Sequence, residues 1–536
     1  MKKNELFEMT IDDITKDGQG IGHADGLAVF VKDTAPQERI RCRIIKEKKN
    51  LAYGRLEEIL EPSPFRVERF CPKARSCGGC TLQHISYKKQ LELKQRHVEN
   101  CLSRIGGVSD VAERMEPIIG METPLHFRNK MQFPVGTDKE GQPSLGFYAG
   151  HTHSLIALDD CPTGHPVNRL LMMAFREYLT EEKISIYDET THTGLVRHFL
   201  TRVGFGTGEV MVCVVINGEE LPHSERLIEL LSGAVKQYQT DDVENRGCIA
   251  EYQTDVAENK AYSAEYQTDV VENRAYTAET DTPENQTFLR LASVSCSINR
   301  ERTNRILGDH SITIYGETFI TDTIGNLHFE IAPESFFQVN PVQTVRLYGK
   351  ALEYAGLTGV ETVWDMYCGI GSISLFLAQK AKKVYGVEIV PQAIENAKRN
   401  ASLNGIDNVV FFTGKAEEIV PGLYKQDPEQ YRADVVVVDP PRKGCDQRLL
   451  DTILSMAPKK LVYVSCDPST LARDVAFLTD GGYYLEKAVP VDMFPHSMHV
   501  ETVVLMNNKN AKPKDYVEIG IDAEEYYNIK DSEKVE

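Results

Sequence analysis

The chain has 536 residues, of which 41% are hydrophobic and 8% aromatic; this globular composition excludes an intrinsically disordered protein. Its formal net charge of −19 excludes a generally basic surface, so any site for nucleic acid must be local. No apolar run approaches the ~20 residues of a membrane span, and the N-terminus lacks the apolar stretch of a signal peptide. We expect a cytoplasmic protein of about three domains, monomeric and without a membrane partner.

Residues 1–61 predict a small N-terminal β-barrel. Turn signals at 17–20 and 24–26 separate short apolar runs such as 27–31. The segment 39–46 alternates basic with mostly apolar residues, which predicts one cationic strand face. Small barrels of this kind often bind nucleic acid, so we expect RNA contact here. An ordinary solvated strand face is the alternative.

Residues 62–310 predict a β-rich central domain that opens with a cysteine-rich stretch. The chain has twelve cysteines, and in a large chain of cytosolic character they favour metal binding or catalysis over a disulfide framework. The central region also carries an acidic insertion at 238–284. There Tyr238, Tyr252 and Tyr266 each begin the repeat Tyr-Gln-Thr-Asp.

This repeat is polar and acidic, so we interpret it as an expanded surface insertion that lies away from the RNA. An acidic arm that binds another protein is the alternative. The tail at 507–536 is also acidic, and we expect it to be disordered.

Residues 311–506 predict a catalytic domain built on a doubly wound parallel sheet. Compact apolar strands are expected at 363–367, 383–387, 409–412, 434–438 and 461–465. Helical stretches such as 372–380 and 393–404 separate the earlier ones. Such alternation is the signature of an α/β domain that binds ligands at the carboxyl ends of its strands.

The first two strands of this domain predict a cofactor site. The Gly-x-Gly turn within 365–371 allows close approach by a ligand. Glu388 ends the second strand, where a carboxylate can accept hydrogen bonds from ribose. Ser374 replaces the third glycine of the dinucleotide fingerprint, which favours a ribosylated ligand without pyrophosphate, and S-adenosylmethionine fits. Asp439 ends the fourth strand beside this crevice, although it could merely cap the turn.

A cysteine and a glutamate complete the predicted site. Cys466 ends the fifth strand, and Glu501 begins the last one, which reaches the same edge if it runs antiparallel. A thiolate that adds to carbon 6 of uracil makes carbon 5 nucleophilic, and a carboxylate can then remove the carbon 5 proton. Arg473 is a candidate for the cation that stabilises the thiolate. The alternatives are a buried structural cysteine and a surface glutamate.

Several motifs together resemble those of a known family, the RNA uracil-5 methyltransferases of the type that modifies large-subunit ribosomal RNA and carries an N-terminal TRAM barrel. They lie at 336–340, 365–371, 439–442, 465–474 and 499–503. The resemblance runs from about residue 5 to Met506, without the acidic repeat. It implies a class I, Rossmann-like α/β methyltransferase domain behind a TRAM/OB-like barrel.

The same resemblance assigns site residues. It implies Cys466 as the nucleophile and Glu501 as the general base. The implied S-adenosylmethionine contacts are Gln338, Tyr367, Glu388 and Asp439. It also implies a 4Fe-4S cluster, which we expect to be structural, on Cys71, Cys77, Cys80 and Cys161. Tetrahedral zinc, with His84 as a substitute ligand, is the alternative for this site.

The resemblance implies structured 23S ribosomal RNA as the substrate. We expect its target uridine to be flipped, because the base must leave its stack to reach the pocket. A transfer RNA substrate is the alternative. An enzyme that methylates a base amino group is less favoured, since Arg442 stands where an aromatic residue usually stacks the base. The 5-methylcytosine enzymes place their nucleophile in a different motif, and a non-catalytic RNA-binding scaffold would have no use for Cys466 and Glu501.

Overall fold

The computed structural model describes residues 3–150, 152–244, 288–303 and 305–511. The predictions for the acidic repeat at 238–284 and for the tail at 507–536 lie mostly outside these ranges. Within them, no helix is both long enough and apolar enough to cross a membrane.

The N-terminal strands close into a barrel, as predicted. Their order around the barrel is β1-β2-β3-β5-β4. Alternation along β4 buries Ile40, Cys42 and Ile44 in the barrel core and turns the intervening arginines outwards. The strands are β1 (Leu6–Ile14), β2 (Gly20–Ala24), β3 (Leu27–Val31), β4 (Arg39–Lys48) and β5 (Leu51–Glu61).

The prediction that β4 presents a cationic face is wrong. Its outward arginines are all paired with glutamates of the flanking strands β1 and β5, so the face is close to neutral. The pairs are Arg39 with Glu8 and Glu61, Arg41 with Glu8 and Glu58, and Arg43 with Glu57. The pattern within β4 cannot reveal this, because the carboxylates come from strands that the fold places beside it.

A seven-stranded sheet forms the centre of the chain, in the order β12-β11-β10-β9-β6-β7-β8. Helices α3 (Val167–Glu181) and α4 (Ser224–Glu244) pack against one face of it. The strands are β6 (Lys130–Thr137), β7 (Pro143–Tyr148), β8 (Leu155–Ala157), β9 (Val196–Val203), β10 (Glu209–Ile216), β11 (Arg290–Ile298) and β12 (His310–Gly316). Strand β12 extends this sheet past residue 310, the predicted end of the central domain. The division of the chain into domains stays a prediction.

A second seven-stranded sheet follows, in the order β17-β16-β15-β18-β19-β21-β20. A hairpin of β13 (Ile320–Ile324) and β14 (Leu327–Ile331) precedes it. Its strands are β15 (Thr362–Met366), β16 (Lys383–Glu388), β17 (Val409–Thr413), β18 (Val435–Val438), β19 (Lys460–Ser465), β20 (Tyr483–Val491) and β21 (Glu501–Asn508). Buried apolar side chains cover both faces, which explains why the strands are continuous apolar runs.

Helices cover the second sheet on both sides. They are α1 (Tyr87–Arg104), α2 (Val111–Arg114), α5 (Pro341–Ala355), α6 (Ser372–Ala378), α7 (Pro391–Leu403), α8 (Ala416–Gln426), α9 (Gln447–Met456) and α10 (Pro468–Asp480). Although α1 follows the barrel in sequence, it packs on α10 of this last sheet. The predicted doubly wound sheet is confirmed, and its strand order reverses between β15 and β18, where such sheets bind ligands.

Candidate active site

Cys466 and Glu501 meet at one edge of the second sheet. Strand β19 is parallel to β18, whereas β21 is antiparallel to β19. The last pair of that antiparallel ladder joins Ser465 to Thr502. The next position on each strand therefore places Cys466 opposite Glu501, at the edge where the parallel strands end.

Burial and neighbouring charge keep both groups protonated near neutral pH. The Glu501 side chain is buried, and its pKa is raised to about 8 by that burial and by the negative charge of Asp439. Cys466 is half-buried, and its pKa is raised to about 11 by burial and then by the charges of Glu501 and Asp439. A partner that neutralises these carboxylates would ease deprotonation of the thiol.

Further carboxyl groups line the same edge. Burial raises the pKa of Asp439 to about 7, with a contribution from the charge of Asp365. The pKa of Asp365 is also raised to about 7 by burial, opposed by a hydrogen bond of 2.5 Å from the Ser374 hydroxyl and reinforced by Glu388. The acids thus form a row that leads from Glu388 to Glu501, and this row would attract a cation.

The turn after β15 brings backbone close to Glu388. Gly369 and Gly371 have φ values of +54° and +83°, which glycine adopts without strain. The Gly369 amide donates to one carboxylate oxygen of Glu388 at 3.3 Å, and the Val390 amide donates to the other at 2.9 Å. The carboxylate is thereby fixed at the end of β16 with lone pairs left for a ligand.

The two other predicted cofactor contacts lie outside the helices and strands. Tyr367 directly follows β15 with a φ of +83°, and burial raises the pKa of its hydroxyl. Gln338 is buried on the segment before α5, where its carbonyl accepts a hydrogen bond of 3.0 Å from the Asn129 side chain. Their contact with a cofactor stays a prediction.

The cation that acts on Cys466 is Arg442 rather than Arg473. The Arg473 guanidinium is paired with Asp474 and donates to the carbonyl of Lys443. The exposed Arg442 instead lowers the pKa of both Cys466 and Glu501. The N-terminus of α10 does not assist the thiolate either, because the Asp467 carboxylate accepts its first free amides, at 2.9 and 3.1 Å.

The four predicted metal-binding cysteines lie near one another. Cys71, Cys77 and Cys80 occupy the segment between β5 and α1, and Cys161 follows β8. Burial raises the pKa of Cys80 to about 12, and each of the other three thiols adds to that rise. A 3.1 Å hydrogen bond from the Gly78 amide to the carbonyl that ends β7 joins the segment to the central sheet.

These thiols are not arranged as a finished metal site. Among the described residues, no group of three or more His, Cys, Asp or Glu side chains is positioned to hold a metal ion. His84, the substitute ligand of the zinc alternative, has its Nε2 at 3.0 Å from the Thr34 carbonyl of the barrel.

Comparison with known proteins identifies the family. The family model described as tRNA (uracil-5-)-methyltransferase matches residues 219–509, and the TRAM domain model matches residues 2–56. The chain belongs to the tRNA (uracil-5-)-methyltransferase family. It is therefore an enzyme that transfers methyl groups from S-adenosylmethionine to RNA, and the predicted resemblance to the RNA uracil-5 methyltransferases is confirmed.

Similar proteins cover almost the whole chain. An uncharacterized RNA methyltransferase of Halalkalibacterium halodurans is 45% identical over 95% of this chain and 98% of its own. Another, from Bacillus cereus, is 44% identical over 95% of this chain and 97% of its own. The solved tRNA (uracil-54, C5)-methyltransferase of Pyrococcus abyssi, in complex with S-adenosyl-L-homocysteine, is 27% identical. It has a TM-score of 0.67 and covers 93% of this chain and 100% of that one.

The row of carboxylates suits this methyl donor. S-adenosylmethionine carries a positive sulfonium and an ammonium group, and its ribose has hydroxyl donors of the kind that a carboxylate such as Glu388 can accept. The predicted class I, Rossmann-like fold is confirmed, and the site residues fit a cationic ribosylated ligand.

The sequence interpretation left out two residues of this edge. Asp365 stands in the motif at 365–371, four positions before Gly369 and one before the end of β15, so its place near the end of an apolar strand is a usable signal. Tyr348 of α5 is buried with its hydroxyl 3.0 Å from that of Ser372. Burial raises the pKa of this hydroxyl, and the charges of Asp439, Asp365 and Glu501 add to the rise. No local pattern marks Tyr348.

We predict that Glu501→Gln stabilises the folded protein at alkaline pH. The pKa of this carboxyl group rises from 4.5 to about 8 on folding. The group therefore destabilises the fold increasingly as the pH rises from 4.5 to about 8, and by a constant amount at higher pH. The gain in thermal unfolding temperature should therefore grow from pH 6 to pH 8 and then level off. Glu395→Gln, at a carboxylate that is 61% exposed, is the control and should show no such trend. A gain that shrinks as pH rises would contradict the assignment.

Proposed function

We propose that the enzyme methylates carbon 5 of a specific uridine in 23S ribosomal RNA through a covalent bond between Cys466 and carbon 6. The observation that carries this proposal is the register of β19 and β21, which sets Cys466 opposite Glu501 beside the row of carboxylates. A nucleophile and a base that face each other can act on neighbouring atoms of one pyrimidine ring.

The chemistry divides between these two side chains. The Cys466 thiolate adds to carbon 6, so that carbon 5 becomes the nucleophile. S-adenosylmethionine supplies the methyl group to carbon 5. The Glu501 carboxylate then takes the proton from carbon 5, the electron pair of that C–H bond restores the ring double bond, and the bond between sulfur and carbon 6 breaks.

The pKa values indicate how this cycle starts. In the free enzyme Cys466 is a thiol and Glu501 is protonated below about pH 8. A cationic cofactor beside Asp439 and Asp365 favours their ionised forms and screens their charge from Cys466 and Glu501. Gln338, Tyr367, Glu388 and Asp439 are the proposed cofactor contacts. Tyr367, Glu388 and Asp439 support this by standing at the carboxyl ends of β15, β16 and β18, and Gln338 by preceding α5.

The proposed substrate is a structured large-subunit RNA whose target uridine is flipped out of its stack. The N-terminal TRAM domain supports an RNA partner, and the likeness of the sequence motifs to the ribosomal type supports 23S RNA. Transfer RNA is the second candidate, since the family model and the Pyrococcus abyssi protein both carry that name. Mapping 5-methyluridine in both RNAs of a deletion strain decides between them. We propose that the enzyme acts as a cytoplasmic monomer.

A 4Fe-4S cluster on Cys71, Cys77, Cys80 and Cys161 is part of the same proposal. The donor set supports it, because four thiolates suffice for a cubane cluster and the thiols influence one another electrostatically. The cluster would tie the segment before α1 to the central sheet, and we assign it no step in catalysis.

We predict that Cys466→Ala abolishes the covalent complex with RNA that contains 5-fluorouridine. Fluorine at carbon 5 prevents proton removal, so a wild-type enzyme of this mechanism stays attached to the RNA. The variant should also lose methyl transfer by at least about 10³-fold. The measurement is a denaturing gel with radiolabelled S-adenosylmethionine.

Cys296→Ala is the matched control, since Cys296 is a buried cysteine of the central sheet. This variant should form the complex as the wild type does. Methylation of uridine RNA by Cys466→Ala at the wild-type rate would contradict the covalent mechanism. Methyl transfer to a base amino group would instead support the other class of RNA methyltransferase.

We predict that protein purified without oxygen contains iron and inorganic sulfide, and that Cys77→Ala loses both. Metal analysis and the visible absorption spectrum measure this directly. Cys42→Ala is the control, because Cys42 lies inside the barrel core. Zinc without iron in the wild type would reject the cluster in favour of the tetrahedral alternative.

A further inference from the structure

The loop at 492–500 joins β20 to β21 and leads directly into Glu501. It has little regular structure, yet most of it is buried: Asp492 and Met493 are fully inaccessible, and His496 and Val500 are 5% and 1% exposed. A buried irregular segment must have its polar groups satisfied by the rest of the fold, so its bonding partners decide where Glu501 lies.

Helix α1 binds this loop through a buried ion pair. The Lys94 ammonium is paired with Asp492, and the side chains of both residues are 0% exposed. Lys94 also donates to the carbonyl of Phe494 at 3.0 Å, and the Tyr87 hydroxyl donates to the second carboxylate oxygen of Asp492 at 2.7 Å. Both oxygens of one loop carboxylate are thus bonded to a single helix.

The start of α5 binds the loop from another side. The Gln343 side-chain amide donates to the Asp492 carbonyl at 3.1 Å and to the Ile119 carbonyl at 2.9 Å. The Asn340 side-chain amide donates to the Met493 carbonyl, also at 3.1 Å. These bonds join the loop to the segment that carries the proposed cofactor contact Gln338.

His496 completes the attachment from a third side. Its φ of +64° is rare for a residue other than glycine, and its carbonyl accepts hydrogen bonds of 2.9 Å from the amides of Thr81 and Leu82. Its backbone amide donates to Gln90 at 3.0 Å, and its ring nitrogen Nε2 lies 2.9 Å from the Pro124 carbonyl. The loop is therefore fixed in one conformation.

Stability alone does not account for the ion pair at the centre of this network. Removing a lysine and an aspartate from water is costly, and apolar side chains of similar volume often stabilise a core equally well. A charged pair with hydrogen bonds in defined directions can, however, specify one backbone position. That property is useful in this loop, because the residue that follows its last position is the catalytic group Glu501.

We propose that Lys94 and Asp492 are positioning residues whose buried pair holds the loop at 492–500 in place and thereby keeps the Glu501 carboxylate against carbon 5 of the bound uracil. This inference rests on the proposed function. Cys466 addition and methyl transfer come before Glu501 takes its proton. A displaced Glu501 therefore slows the removal of the carbon 5 proton, which must precede breakage of the bond between sulfur and carbon 6.

The test uses Lys94→Met and uridine RNA that carries no fluorine. The variant should accumulate a complex, stable on a denaturing gel, in which the RNA carries the transferred methyl group and remains bonded to the enzyme. Its kcat should fall about 10- to 100-fold, as expected when a catalytic group is misplaced. Its KM for RNA should fall as well, because the enzyme accumulates in the complex, so that kcat/KM stays near that of the wild type. Tyr87→Phe removes the hydrogen bond to Asp492 and the 2.9 Å bond that the hydroxyl accepts from the Met121 amide, and it should show the same change to a smaller degree.

Lys350→Met is the matched control. Lys350 is a largely buried lysine that pairs with Glu116 and Glu353 at 2.8 and 2.9 Å, near β20 but not on the loop. It should turn over without accumulating the complex. If Lys94→Met instead reduces complex formation and turnover together, or raises KM alone, the positioning role is wrong.

The double variant Lys94→Met with Asp492→Leu separates an effect on the position of Glu501 from an effect on the stability of the folded protein. Replacing both charges should recover the unfolding temperature that Lys94→Met loses, because no unpaired charge remains buried. It should still accumulate the methylated complex, and normal turnover by this variant would overturn the inference. RNA containing 5-fluorouridine distinguishes failure of the positioning role from failure of the proposed function. If the wild type forms no complex with this RNA, the proposed function itself is wrong.

Discussion

The antiparallel insertion of β21 between β19 and β20 is the constraint on which the active site depends. Strands β15, β16, β18 and β19 deliver residues to the site from their carboxyl ends, whereas β21 delivers Glu501 from its first position. Reversal of this strand is what sets a carboxylate opposite Cys466. Its position is only as well defined as the loop before it, and that loop is bonded to α1, to α5 and to the segment after the cysteines.

The active site has an acidic interior and a rim that carries charges of both signs. Glu388, Asp365, Asp439 and Glu501 follow one another along the sheet edge, and burial favours the neutral forms of Asp365, Asp439 and Glu501 until a cation arrives. Such an interior attracts a sulfonium and repels phosphate, so the RNA backbone must remain outside. Arg442 is exposed at that boundary. The neutralised arginines of β4 show that a basic strand in an acidic chain need not present a basic surface.

Local patterns in the sequence predict the barrel and the doubly wound sheet, but not the packing of α1 on α10. Apolar runs with intervening helices predict the doubly wound sheet, and residues placed directly after strands are brought to one edge because parallel strands end together. To predict the roles of Cys466 and Glu501, the chemistry of carbon 5 and the resemblance of several motifs to a known family were also needed. Arg442 could not be preferred to Arg473 from sequence, since the choice depends on the pairing of Arg473 with Asp474. The Lys94–Asp492 pair was equally hidden, because it joins distant parts of the chain.

The most direct test of a nucleophile and a base facing one pyrimidine is peptide mass spectrometry of Glu501→Gln after reaction with uridine RNA and S-adenosylmethionine. We expect a nucleotide that carries the new methyl group and is bonded to the peptide containing Cys466, because the enzyme cannot release it without the base. Free methylated RNA formed at the wild-type rate, or attachment at another cysteine, would contradict it.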